Sequence, residues 1–340
     1  MELTKTVHGS HISLRKEPVN LLKEDLSLFE HEFSVEINAT NVTEFGNASI
    51  LKDTIFTPGN FQFYKSFSHV FPLKSKKLAK KLLLFLLPSR KIEAGIWITD
   101  ERSPEYFHWL TDALPRLLAT EEYTGKKPVI LPASYQNISY VQQSLELLNF
   151  EPYYYNRKFR LAVKHLYTAN HTAESGNYNK KIINNLRDRL LPQNGTSAQR
   201  KIFISRQKAV KRRIINEAEI IPLLLTHGYE IHYFEEYDFK KQIKIMSETK
   251  SVIGLHGAGL TNMLFMQSGG SILELRNEGD SHNNCYFSMA SELGHDYFYH
   301  LNKGNTDDTN KVDIIVDVQA LTRTLQIMEK EAKVIHRTDL

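Results

Sequence analysis

Three segments hold residue types that do chemistry in combination. The first is His256-Gly257-Ala258-Gly259-Leu260-Thr261-Asn262. Small residues there let backbone N–H groups approach a ligand, and a helix starting at that point favours an anion, so phosphate is the expected guest. The competing reading is a tight strand-to-helix turn whose glycines serve only sterics, with His256 satisfying a carbonyl. Gly257-x-Gly259-x-x-Asn262 meets only part of the dinucleotide fingerprint, because the third glycine is missing. No Gly-x-Ser-x-Gly occurs, so an esterase-type oxyanion loop would have no nucleophile to serve.

The second segment runs from Arg206 to Arg213 and packs Arg206, Lys208, Lys211, Arg212 and Arg213 into eight residues. A guanidinium at a strand exit can grip a phosphate through two parallel hydrogen bonds. A solvated basic loop is the plainer alternative. The third segment is Tyr106-Phe107-His108-Trp109-Leu110-Thr111-Asp112-Ala113-Leu114-Pro115-Arg116. His108 and Asp112 are four apart, so a helix shows both on one face, with Arg116 a further turn along. An imidazole beside a carboxylate supplies a general base, or a base and the group that orients it. Glu274, near the end of an apolar run, is placed either to bind sugar hydroxyls or to pair with Arg276 or Arg206. Metal ligation is poorly provided for: there is no His-Glu-x-x-His, no Asp-x-Asp and a single cysteine, Cys285.

The surrounding pattern is that of an α/β protein. Lys201–Ser205, Tyr229–Phe234, Ser251–Leu255, Ser271–Leu275 and Tyr297–Tyr299 read as strands. Between them lie helical stretches near 216–226, 238–249, 260–266 and 286–293, with a last one at 318–332. Strict alternation of strand and helix implies parallel βαβ units, whose ligands bind outside the carboxyl ends of the strands. The first half is less regular. Short β-like runs such as Phe33–Asn38 and Ile50–Thr57 fill the first 75 residues. A strand at Ile96–Ile98, a helix from Tyr106 interrupted by Pro115, a strand at Val129–Leu131 and a helix at 139–148 follow.

The chain has 340 residues, room for about two domains. Apolar residues make up 41% and charged residues 24%, which excludes a disordered, collagenous or coiled-coil chain. Forty-three basic against 39 acidic residues give a net charge of +4, too small to imply nucleic acid by itself. No aromatic stacking motif accompanies the basic loop, so nucleic acid is not an expected partner. Met1–Asn20 has no apolar core of the signal-peptide kind, so a cytoplasmic location is expected and the six Asn-x-Ser/Thr sequons, Asn194 among them, are read as composition. Leu82–Leu87 is the longest apolar run and follows Lys74, Lys76, Lys77, Lys80 and Lys81. The expected role is a core element with a solvated lysine face; the alternative is peripheral contact with the inner face of a membrane.

Together these segments resemble glycosyltransferase family 61. The resemblance is carried by Tyr106 to Leu117, by Ile204-Ser205-Arg206 with Arg212-Arg213 and Asn216-Glu217, by the Gln242 helix, by Gly254 to Asn262 with Phe265-Met266, and by Glu274-Leu275. It covers roughly residues 30 to 300. The family implies an α/β, GT-B-like fold: two Rossmann-like domains facing a central cleft. Residues 1–192 would form a β-rich and then Rossmann-like acceptor domain. Residues 193–340 would bind the nucleotide sugar, with the last helix reaching back onto the first domain. The resemblance also implies inverting transfer without a metal or other cofactor, to a glycan or lipid-linked saccharide. A bacterial member linked to capsule or lipopolysaccharide synthesis is the expected kind.

On that reading Arg206, Arg213, His256, Gly257, Ala258, Gly259, Asn262 and Glu274 surround the donor. Asp112, or alternatively His108, takes the acceptor's proton. A non-catalytic protein that binds glycans or polyanions is the other class compatible with a basic cleft.

Overall fold

The computed structural model describes every residue except Met1, 193–196, 210, 279, 281, 307, 309–310 and 339–340, with backbone only at 75 and 333–338. Asn194 and its neighbours just past the expected boundary at 192 therefore lie outside the described residues. The chain divides into two compact units. One comprises Met1–Ile12 with Glu36–Leu190, the other Ser13–Val35 with Leu191–Leu340. One placement differs from expectation. Ser13–Val35 belongs to the second unit, because its partners are there: Val19 donates to the Tyr297 carbonyl at 2.9 Å, and the Phe29 ring packs on Phe287, Tyr297 and Tyr299. The last helix, Val318–Thr338, belongs to the second unit, where Leu321, Leu325 and Met328 pack into its core.

The first unit is built on a mixed sheet ordered Gln62–Tyr64, Ile55–Thr57, Thr40–Ile50, Arg160–Ala169, Ser89–Trp97, Val129–Pro132, Pro152–Tyr155, with Glu2–His8 also paired to Thr40–Ile50. The last four strands run parallel, and the early ones antiparallel. The expected Ile50–Thr57 strand is in fact a hairpin. Leu51 and Thr54 exchange backbone hydrogen bonds across Lys52 and Asp53, whose φ values of 45° and 65° suit a tight hairpin turn. Val129–Pro132 and the last three residues of Ser89–Trp97 are buried throughout, while the first half of Ser89–Trp97 is charged and largely exposed.

The second unit has a sheet ordered Tyr229–His232, Arg200–Ile204, Thr249–Leu255, Ser271–Asn277, Asp296–Gly304, Ile314–Ile315. The first five strands are parallel and the last is antiparallel. Numbered within the unit the order is 2-1-3-4-5, a doubly wound sheet with its switch point between Arg200–Ile204 and Thr249–Leu255. Phe203, Ile253, Leu255, Leu273 and Leu275 pack with the helices Glu217–Thr226 and Val318–Thr338. Their neighbours Ile202, Val252 and Ile272 are buried on the opposite side. Period-two burial on both faces is why these strands read as continuous apolar runs.

Candidate active site

In the first unit a pocket of about 370 Å3 opens where two neighbouring parallel strands end. Arg102 follows Ser89–Trp97; Asn170, His171 and Ser175 follow Arg160–Ala169; Asp112 projects from the helix between. That helix changes pitch: Tyr106–His108 is α, Trp109–Ala113 a π turn, and Leu114–Thr124 α again. Pro115 therefore falls in the first turn of the resumed helix, where its missing N–H costs least, and the expected break takes the form of a π bulge. His108 and Asp112 do share a face. Nδ1 of His108 lies 2.7 Å from Oδ2 of Asp112, and the hydroxyls of Thr111 and Ser175 donate to the same carboxylate at 3.2 and 3.5 Å. Asp112 lines the pocket and is only 8% exposed. The carboxylate is thus oriented, nearly desolvated and open on one side, which is what a general base needs.

Arg116 does not join them. Its guanidinium is fully buried and donates to the carbonyls of Ala169, Ile98 and Phe67 and to the hydroxyl of Thr168, at 2.8 to 3.1 Å. Burial lowers its pKa to about 10, while the charges of Asp100 and Asp112 counter that. It clamps the helix to the ends of the two strands. Sequence reading missed four pocket neighbours. Asp100 is buried and would be raised by that alone, but the His171 hydrogen bond and the charge of Arg116 hold it well below the usual carboxylate range. His171 sits 3.1 Å from Asp100. His69 pairs with Glu101, and burial lowers its pKa. The Arg102 guanidinium lies over the Phe71 ring. None of these belongs to a motif, yet Arg102 comes shortly after the predicted strand Ile96–Ile98, so the carboxyl-end rule was a usable signal there.

In the second unit the basic loop and the glycine loop leave adjacent strands on either side of the switch point. Nε and Nη2 of Arg206 donate to the carbonyls of Arg212 and Lys211 at 2.8 and 3.1 Å. A Cβ at position 257 would stand 3.0 Å from Nη1 of Arg206, a tight approach, and 3.6 Å from Cζ of Arg212, an ordinary contact, so both guanidiniums lie beside this glycine. Burial and the neighbouring Arg212 lower the Arg206 pKa. Two guanidiniums side by side make a place for an anion. Segment Ala258–Phe265 is a 3-10 helix rather than the expected α-helix. Gly259 is tight against Ile204, where a Cβ would come to 3.2 Å.

Three expected donor contacts take other parts. Arg213 turns away: its backbone N–H and guanidinium meet Asp313 at 2.8 and 3.6 Å. Arg212 takes its place beside Gly257. Asn262 is buried and donates to the Gly259 carbonyl at 3.0 Å, which shapes the loop. Glu274 is fully buried beneath the site, one oxygen bonded to His256 Nδ1 and the other to the Tyr297 hydroxyl. The first of these bonds fixes the orientation of the His256 ring. Among the described residues no three His, Cys, Asp or Glu side chains cluster as metal ligands.

Residues 106–273 match the family model described as Glycosyltransferase 61. The chain is also similar to the EGF domain-specific O-linked N-acetylglucosamine transferases of Bos taurus, 35% identical over 91 residues, and Drosophila melanogaster, 37% identical over 86 residues. The matched stretch is 25% of this chain against 17% of the bovine protein, and 24% against 16% of the fly protein. The Mus musculus protein matches at 34% over 91 residues. The chain therefore spans only about a sixth of the length of these curated relatives. The stretch that matches the Glycosyltransferase 61 model takes in the Asp112 helix, the Arg206 strand exit and the His256 loop.

Proposed function

We propose that this chain is a metal-independent, inverting glycosyltransferase of GT-B type, taking a sugar from a nucleotide-sugar donor to a saccharide acceptor. The observation that carries the proposal is the pair Arg206 and Arg212 lying against Gly257 at the switch point of a doubly wound sheet. Their charges and the His256 Nε2 would hold the donor's pyrophosphate and stabilise it as the leaving group, the part a metal ion plays elsewhere. The acceptor would occupy the pocket beside Asp112. Its hydroxyl oxygen forms the new bond to the anomeric carbon, the sugar–phosphate bond breaks on the opposite face, and the hydroxyl proton passes to Asp112. His108, donating from Nδ1, keeps that carboxylate aimed. The names of the animal relatives support N-acetylglucosamine as the first sugar to try. A glycan or lipid-linked saccharide of surface polysaccharide synthesis is the acceptor class proposed with it.

The test is a panel of UDP- and GDP-sugars, scored for slow donor hydrolysis and for transfer, with the Asp112→Asn and Arg206→Ala variants alongside. Asp112→Asn should keep nucleotide affinity and lose transfer by ~100-fold or more, the usual weight of a general base. Arg206→Ala should weaken nucleotide binding. A fully active Asp112→Asn variant dismisses that residue as base. Nucleotide binding with neither hydrolysis nor transfer would favour the non-catalytic, polyanion-binding reading.

A further inference from the structure

The longest apolar run of the sequence is mostly not in the core. Ser75–Leu82 forms a short α-helix and Leu83–Leu86 a 3-10 turn that continues it. Lys81 and Leu84 point inward: Nζ of Lys81 donates to the Lys52 carbonyl at 2.7 Å, and Leu84 packs with Leu51 and Phe56. Residues three apart eclipse in a 3-10 helix, so Leu83 and Leu86 share the outward face. They are 61% and 81% exposed, and Leu87 beside them 45%. Lys76, Lys77 and Lys80 precede them on the exposed side of the α-helix, with exposed Lys74 at its start. The stripe Lys76–Lys80–Leu83–Leu86 thus runs from charge to hydrocarbon at helical spacing. Exposed Phe61 stands edge-on to Phe56, which in turn meets Phe85 of the same turn. Among the described residues no carboxylate pairs with Lys74, Lys76, Lys77 or Lys80, whereas Arg157, Lys164 and Arg189 of the same unit have acidic partners.

We propose that this ridge docks on the surface of an anionic lipid bilayer, the leucines entering the headgroup boundary and the lysines meeting lipid phosphates. The charge distribution selects that occupant. A second copy of the chain would bring the same four lysines face to face, and a soluble polyanion would leave Leu83, Leu86 and Leu87 in water. Adjacent apolar and cationic groups on one exposed turn suit an interface that is itself layered that way. No described helix is long and apolar enough to cross a membrane, so the contact is with the surface.

The experiment is flotation of the full chain with phosphatidylcholine vesicles and with vesicles containing 30% phosphatidylglycerol, in about 0.1 M and 0.5 M salt. Each lysine near an anionic surface adds about fivefold to partitioning. The chain should float with the anionic vesicles at low salt, stay behind with the neutral ones, and be released at high salt as screening sets in. Leu83→Glu/Leu86→Glu and Lys76→Glu/Lys80→Glu should each reduce binding at least tenfold. All four positions are exposed, so thermal melting should match the parent and show that the fold is intact. Equal binding to neutral and anionic vesicles, an unchanged Leu83→Glu/Leu86→Glu variant, or a dimer that this variant dissociates would each overturn the proposal. The readout involves no sugar transfer, so its failure leaves the proposed activity standing.

Discussion

Arg206 is held from behind by two carbonyls, which leaves Nη1 facing Gly257 with Arg212 next to it. Adjacent arginines in a basic run are equivalent in sequence, yet Arg212 and Arg213 end in different surroundings. Arg212 has a left-handed backbone, φ 59°, at the turn where the loop reverses, so its side chain returns to the glycine loop while Arg213 meets Asp313. Affinity should follow that split. A hydrogen bond to a charged group is worth about 1.5–3 kcal/mol, so Arg212→Ala should weaken UDP or GDP binding ~10- to 100-fold. Arg213→Ala, which removes an exposed ion pair, should change it less than about threefold. Calorimetric titration of the two variants decides the matter, and the reverse order would exclude Arg212 from the anion site. The glycines and His256 could be picked out as candidates from type and position. Arg212 could not, because what distinguishes it is one backbone dihedral.

The helix bearing Asp112 shows where sequence periodicity succeeds and where it stops. The four-residue spacing placed His108 and Asp112 on one face correctly, and Pro115 marked the interruption. Arg116 belongs to the same spacing but not to the same job. Its partners are carbonyls at Ile98 and Ala169, at the ends of strands far away in the chain, and no local pattern announces them. The strands of the second unit were legible for the opposite reason. Their apolar runs are bounded by Gly228, Gly257 and Gly270 and need no distant partner to be recognised. In the first unit Thr40–Ile50 contains asparagines and a glycine and becomes a strand only because neighbours on both sides pair with it.

The Arg116 clamp carries a measurable consequence. Arg116→Met takes a donor from three carbonyls and the neighbouring guanidinium charge from Asp100, and should cost about 3–5 kcal/mol at neutral pH. Asp100 sits below its ordinary range when folded, so its contribution is present above about pH 4 and fades as pH falls toward the folded value. The gap in stability between wild type and Arg116→Met should therefore narrow as pH is lowered from 5 to 3. Denaturant unfolding across that interval tests it, and a gap independent of pH would mean that Asp100 does not depend on the guanidinium.

The chain passes between its two units more than once, and this bears on how it can be cut. Ser13–Val35 is spent entirely on the second unit. Phe29 is fully buried there, and the Arg276 guanidinium lies over its ring at 5.0 Å. Arg276 also donates to Asn284 at 2.8 Å and to the Tyr297 hydroxyl, and that hydroxyl bonds to Glu274 beneath His256. An unbroken line of contacts thus links an N-terminal phenylalanine to the imidazole of the glycine loop. No signal in the sequence foretells this, since the partners are some 260 residues apart and the segment has no periodicity of its own. Removing a buried phenylalanine side chain typically costs about 3–5 kcal/mol, and deleting the segment uncovers Phe287, Tyr297 and Tyr299 as well. Against a total stability of about 5–15 kcal/mol, that loss is decisive. A fragment comprising residues 191–340 alone should lack a cooperative unfolding transition and bind no nucleoside diphosphate. Joining residues 13–35 to its N-terminus through a flexible linker should restore both. Cooperative melting of the bare fragment, followed by circular dichroism, would show that the second unit does not need its N-terminal segment.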